Sequence, residues 1–192
     1  MSKWTHVIKP YRKWYDINLK EAWRYRDLLW LFVHRDFVAY YKQTILGPLW
    51  FIIEPLAKTA IYLIISGSVA GLRPDGIPKI LFFLSGVTAW KYFSDCFVKT
   101  SAIFTNNAHI FGKVYFPRIV LPFSVVISNM IKFGIQMALF LGFWIYFLIA
   151  PSPIDPETGL AVYTLTPHYE YIALFPLLVI IMALQGLAFG MI

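Results

Sequence analysis

Within the most apolar stretches of this chain stand a few side chains whose charge demands a partner or water. Glu54 and Lys58 are four residues apart, on either side of Pro55, and Lys91, Asp95 and Lys99 follow one another at the same spacing. Four residues is one helical turn, so each set lies on one face with opposite charges adjacent. A lone charge facing hydrocarbon costs about 2.5–3.5 kcal/mol, so these faces must look toward protein or water. The chemistry available is ion pairing. Glu54 and Lys58 read either as a pair that neutralises itself or as the edge of a polar conduit. A second set is aromatic: Phe37, Tyr40, Tyr41, Trp50 and Phe51 crowd one junction. They read either as a belt at a membrane interface or as stacking platforms for sugar rings, the latter because an aromatic face with a polar tip suits a ring with C–H faces and hydroxyl edges. Bond-making chemistry finds less support. No phosphate-cradling glycine loop, zinc-spaced Cys/His cluster or Gly-x-Ser-x-Gly elbow occurs, and His6, His34, His109 and His168 are scattered. No catalytic residue and no metal ligand is expected, and no two carboxylates are expected to share a cluster. Active transport would require a separate ATP-hydrolysing partner.

The elements that must carry these side chains follow from composition. Of 192 residues, 59% are hydrophobic and 14% charged, against roughly a quarter charged in soluble domains, and mean hydropathy is +0.63. Such a chain carries more apolar surface than one soluble core can bury, which predicts an all-α polytopic membrane protein. The single cysteine, Cys96, excludes an intrachain disulfide. Net charge is +7, and nine Lys/Arg against four acids precede Gln43. Interleaved with Trp and Tyr and abutting a long apolar run, that segment reads as a cytoplasmic membrane-surface element, not a nucleic-acid interface. The first apolar run begins too far in, and is too long, for a cleaved signal peptide.

Along the chain, residues 1–45 form a cytoplasmic N-terminal segment and residues 46–192 a transmembrane domain. Asn18 and Glu21 suit a capping box opening a helix to about Gln43. Its apolar face holds Leu19, Ala22, Trp23, Trp30, Val33, Phe37, Tyr40 and Tyr41, with Arg26 as a misfit, and it is expected to lie along the inner leaflet. Spans are expected at about 46–70, 80–104, 119–150 and 171–192. The first opens at Gly47-Pro48 and should kink at Pro55. The third is longer than one crossing, so its early polar turns, with Pro122, Asn129, Lys132 and Gln136, should sit near the cytoplasmic interface. The loop 151–168 holds four prolines and no Lys or Arg. The fourth span is still apolar at Ile192, so a further C-terminal part is expected. The basic N-terminal segment, with Lys113 and Arg118 on the same side and only Arg73 and Lys79 opposite, puts the N-terminus inside the cell.

Arg26-Asp27-Leu28-Leu29-Trp30, then Arg35-Asp36-Phe37 through Tyr41-Lys42-Gln43-Thr44-Ile45-Leu46-Gly47-Pro48-Leu49-Trp50, resembles the N-terminal signature of type-2 ABC exporter permeases for O-antigen and teichoic-acid polysaccharides. Phe82 to Trp90, with its Leu-Ser-Gly core, and Gly112-Lys113-Val114-Tyr115-Phe116-Pro117-Arg118 before Leu121-Pro122 are similar to the next two landmarks. The resemblance implies a homodimeric permease in a bacterial inner membrane, with six spans per subunit, of which four are visible. Two copies of a cytoplasmic ABC ATPase, holding ATP and Mg2+, would dock beneath, and lipid-linked polysaccharide would be the cargo. It implies that the link from Thr105 to Arg118 carries the coupling helix, which assigns ATPase docking to Asn106, Asn107, Ile110, Phe111 and Tyr115. Phe37, Tyr40, Tyr41, Trp50, Phe51 and Glu54 would line the substrate path, although the resemblance implies an uncharged residue at position 54. The rival readings are a membrane-embedded enzyme acting on lipid-linked sugars through Asp95 or Glu54, and a type-2 ABC permease for drugs or lipids.

Overall fold

A computed structural model of the chain describes residues 23–42, 46–66, 76–111, 113, 116–150 and 174–191, apart from the side chains of Tyr40 and Tyr41. Among these residues there are helices and turns and no strand. Helix α1 spans Arg26–Lys42, α2 Trp50–Ile65, α3 Lys79–Ser101, α4 Ile103–Asn106, α5 Ala108–Phe111, α6 Val120–Ile149 and α7 Leu174–Gly190. The expected starting cap at Asn18 and Glu21, the loop 151–168 and the end at Ile192 lie outside the described residues.

A tight helical turn at Gly47–Leu49 leads into α2. Gly47 has φ +53°, a left-handed conformation that a side chain would strain, and Pro48 brings its fixed φ to the first turn. The helix runs on through Pro55, whose missing amide leaves the Phe51 carbonyl without its usual partner. Turn and helix together make 19 residues, about 28 Å at 1.5 Å each, close to the hydrocarbon thickness. α6, with 30 residues, exceeds one crossing as its sequence suggests.

Two helices, Gly47–Ile65 and Val120–Ile149, are long and apolar enough to cross a bilayer unaided, and only 17% of the most apolar stretch of either is buried. A core helix of a soluble protein would be mostly buried, so these surfaces suit lipid or other membrane helices. α3 owes its lower apolarity to its charged face, and α7 is described for 17 residues. Every buried residue of α6 lies between Val120 and Gln136. The first half of this helix packs on protein, and the second half presents Leu141, Ile145, Tyr146 and Ile149 outward.

α3 is the central element, packed against α2, α6 and α7. Against α7 the approach is so close that a Cβ on Gly186 would stand 2.7 Å from Cys96 Cβ, and one on Gly190 would stand 2.8 Å from the Phe97 carbonyl. Bare backbone at these two positions lets the helices meet. α1 lies across the start of α6. There Phe32, Ile103, Phe116, Val120, Leu121 and Val125 form an apolar cluster, flanked by Tyr25, Leu28 and Leu29. This corrects the expected face of α1. The edge turned to protein is Phe32 and Val33, while Trp23 and Trp30 are exposed. The reason is geometric: α6 receives one edge of the helix, and the tryptophan edge next to it stays free. Arg26, the expected misfit, is exposed beside Asp27 at 3.8 Å.

Candidate functional site

The charged residues of the spans meet in one seam. In α2 the i, i+4 spacing lets Lys58 Nζ donate to Glu54 Oε1 at 2.9 Å. From α3, Lys91 Nζ reaches the same oxygen at 2.9 Å and Asp95 Oδ2 at 3.4 Å. Lys99 Nζ lies 3.4 Å from Asp95 Oδ2 and donates to Asn129 Oδ1 of α6 at 3.0 Å. Asn129 Nδ2 in turn points at Cys96 Sγ, 3.8 Å away. The chain of contacts thus runs across α2, α3 and α6. An ion taken out of water loses several kcal/mol of hydration, which is why each carboxylate is met by two ammonium groups. Glu54 and Asp95 converge on Lys91, contrary to the expectation that no two carboxylates share a cluster. The fault lay in reading each span alone: four-residue spacing pairs charges within a helix and says nothing of the charge that a neighbouring helix brings. Both carboxylates are engaged by lysines, an arrangement that suits a fixed polar junction better than proton transfer.

Further along α6, Lys132 and Gln136 are buried one and two turns beyond Ser128. With Tyr92, Phe133, Phe51 and the seam residues they line a small pocket. The polar turns expected near a membrane interface therefore face the interior of the bundle.

Outside the seam, an open groove of about 550 Å³ runs between α2 and α3. Its walls are Tyr62, Phe82, Phe83 and Trp90, and Lys58, Ser85, Ser94 and Asp95 stand among them. Tyr62 and Phe83 stack across the two helices at 6.1 Å and 12°, while Phe82 meets Phe83 edge-on at 5.4 Å. Trp90 is exposed and tilted over Phe93 at 5.8 Å. The sequence reading used Phe82 to Trp90 as a landmark and missed it as a surface. Its signal was present in the aromatic positions 82, 83 and 90, one helical face removed from Asp95.

The expected path residues divide. Phe51 is buried and stacks on Phe37 at 5.7 Å and 18°, which makes it a joint between α1 and α2. Trp50 is exposed next to it, and Glu54 belongs to the seam. The Tyr40 and Tyr41 side chains lie outside the described residues. In the docking set, Asn106 is exposed, whereas Asn107 is buried, donating from Nδ2 to the Ile103 carbonyl at 2.8 Å and accepting from Arg35 Nη1 at 3.2 Å. Ile110 and Phe111 turn inward onto the apolar cluster, Phe111 stacking on Phe116 at 5.5 Å under the Arg118 guanidinium. Tyr115 lies outside the described residues. The outward face of this segment consists of Thr105, Asn106, Ala108 and His109.

Fold and seam together define an all-α membrane protein whose helices meet around paired charges, with an aromatic groove beside them. No family model matches the chain. Over 124 residues, 64% of its length, it is 31% identical to the O-antigen export system permease protein RfbA of Myxococcus xanthus, covering 46% of that protein. It is also 31% and 30% identical, over 127 residues in each case, to two such permease proteins of Klebsiella pneumoniae, covering 48% of each. The chain spans about half the length of these curated relatives. The three matches support the type-2 ABC O-antigen permease that the sequence landmarks resemble.

Proposed function

We propose that the chain is the transmembrane permease subunit of an ATP-driven exporter, moving a lipid-linked polysaccharide of O-antigen type out across the bacterial inner membrane. The observation that carries this reading is the similarity, over about two thirds of the chain, to three O-antigen export permeases. In this reading the N-terminus is cytoplasmic, two copies of the full-length subunit enclose the path, and two cytoplasmic ATPase subunits holding ATP and Mg2+ dock beneath. The groove of Tyr62, Phe82, Phe83 and Trp90 supports the cargo assignment. Aromatic faces hold sugar rings of varied sequence by weak, repeated contacts, and a sliding polymer must be held weakly enough to leave. Trp50, beside the Phe37–Phe51 joint, together with Tyr40 and Tyr41, would meet the chain at the cytoplasmic entrance.

The segment from Asn106 to Tyr115 would dock the ATPase through its outward side chains, Asn106 and His109, with Ile110 and Phe111 anchoring it from within. The enzyme reading draws little from Glu54 and Asp95, since lysines occupy both. A direct test is co-expression of the full-length permease with candidate ATPases, followed by transport of lipid-linked glycan into inverted vesicles. ATP-dependent glycan uptake is expected. Uptake of drugs or free lipid in its place would sink the polysaccharide assignment, and uptake without ATP would sink the exporter class.

A further inference from the structure

Asn107 stands at the junction of α4 and α5. Its amide and its side-chain Nδ2 both donate to the Ile103 carbonyl, at 3.2 and 2.8 Å, and its own carbonyl accepts from Ile110 N at 3.0 Å. The two short helices are thus tied at one residue. Its remaining polar atom, Oδ1, accepts from Arg35 Nη1 of α1 at 3.2 Å. The guanidinium is held from two more sides: Nε and Nη2 lie 2.9 and 2.8 Å from Asp36 Oδ1, and the plane lies 4.9 Å above the Phe32 ring. Phe32 itself touches Phe116 at 5.8 Å within the cluster that contains Ile103. Helix α1 therefore grips the segment by one apolar contact and one oriented arginine. At the other end of the same stretch, Phe37 stacks on Phe51 in the first turn of α2. From Phe32 to Phe37 is about 7.5 Å of continuous helix.

We propose that Arg35 is a positioning residue that joins the α4–α5 segment to the substrate path, so that a displacement of this segment passes through Asn107 to α1 and through the Phe37–Phe51 stack to the turn of α2 that precedes Glu54. The proposal rests on the reading that this segment docks the ATPase. Coupling through packed side chains and a short rigid helix needs two firm contacts and a stiff element between them. Arg35–Asn107 and Phe37–Phe51 are those contacts, and α1 is the stiff element. The apolar cluster alone would let the segment slide on α1, because burial has no directional preference. The arginine fixes the register.

The test uses the full-length permease with its co-purifying ATPase in vesicles, and reads glycan exported per ATP hydrolysed. Arg35→Gln and Asn107→Leu are each expected to keep the ATPase bound and hydrolysing, and to lower export per ATP about three- to tenfold. The double variant should be no worse than the weaker single one, since both break one link. In a Cys96→Ala background, Arg35→Cys with Asn107→Cys should regain export per ATP when a short bis-maleimide joins the two thiols, an outcome that a merely structural role would not produce. Normal export per ATP in both single variants overturns the proposal, and so does failure of the tether to restore it. Loss of the ATPase from the Arg35→Gln complex overturns it as well, by making Arg35 a docking residue. The underlying reading is tested separately. Unchanged ATPase retention in Asn106→Ala with His109→Ala removes the docking assignment, whatever the Arg35 variants do.

Discussion

Where α1 lies across the start of α6, Phe32, Ile103, Phe116, Val120, Leu121 and Val125 bury one another without a charge among them. A few turns further along the same helix the buried residues are Asn129, Lys132 and Gln136, and the facing helices bring Glu54, Lys91, Asp95 and Lys99. The first region is held by area removed from water, at about 25 cal/mol per Å² with no preferred geometry. The second is held by pairs that are favourable only at one separation, since each ion has given up hydration. An apolar contact can slide and keep most of its energy, whereas an ion pair loses its energy when the register shifts. The seam is therefore the part of the molecule that reads the relative position of α2, α3 and α6.

The largest effect should come from Lys91→Met. It leaves Glu54 with Lys58 and Asp95 with Lys99, each short of one cation in a partly buried place, and stranding such charges costs about 3–5 kcal/mol. The variant is expected to melt far lower in detergent. Combining Lys91→Met with Glu54→Gln should return part of that loss, because the stranded carboxylate is then gone. A double variant as unstable as the single one would mean that the seam holds by packing, which would erase the contrast with the apolar cluster. Phe32→Ala tests the other side, with an expected loss of about 3 kcal/mol from the emptied ring site. Its melting temperature should respond little to salt, whereas that of the seam variants should respond to it.

A third region belongs to neither kind. α7 approaches α3 through the bare backbone of Gly186 and Gly190, so Gly186→Ala is expected to cost about 1–3 kcal/mol by forcing a Cβ onto Cys96. An unchanged melting temperature would show that α7 can shift away from α3 without loss.

Much of this was legible in the chain. The helical class and the third span came from apolar run length, and the pairs Glu54–Lys58, Lys91–Asp95 and Asp95–Lys99 came from four-residue spacing, because both signals are local. The Glu54–Lys91 bridge and the Lys99–Asn129 bond were not legible. They depend on how α2 and α6 are placed against α3, and spacing within one helix carries no record of that. For the same reason Phe51 and Phe111 read as surface platforms and proved to be packed: their apolar character is local, but the neighbour that covers them is not. The edge of α1 that meets α6 was misplaced by one helical step, since Trp30 and Phe32 are equally apolar and only the partner decides between them.

The smallest expected effect on stability falls on the groove. Trp90 is exposed and Tyr62 is half out of the protein, stacked only on Phe83, so Trp90→Ala and Tyr62→Ala should each change the melting temperature by the equivalent of about 0.5 kcal/mol or less, as surface substitutions do. Their effect on transport is expected to be larger. If sugar rings slide over these faces, each lost platform weakens one contact among several, and export of long glycans per assembled complex should fall several-fold while short glycans suffer less. A membrane-belt role makes the opposite forecast: fewer complexes would assemble, and those that did would export at the ordinary rate. The seam supplies the control, because Lys58 and Asp95 line the same groove and answer to charge where the aromatics do not. Lys58→Gln should therefore change export according to the charge of the glycan, and Trp90→Ala should lower it for neutral and acidic glycans alike. Equal behaviour of the two variants toward both glycan types would show that groove and seam act as one surface, and that the boundary between paired charge and apolar contact has no part in transport.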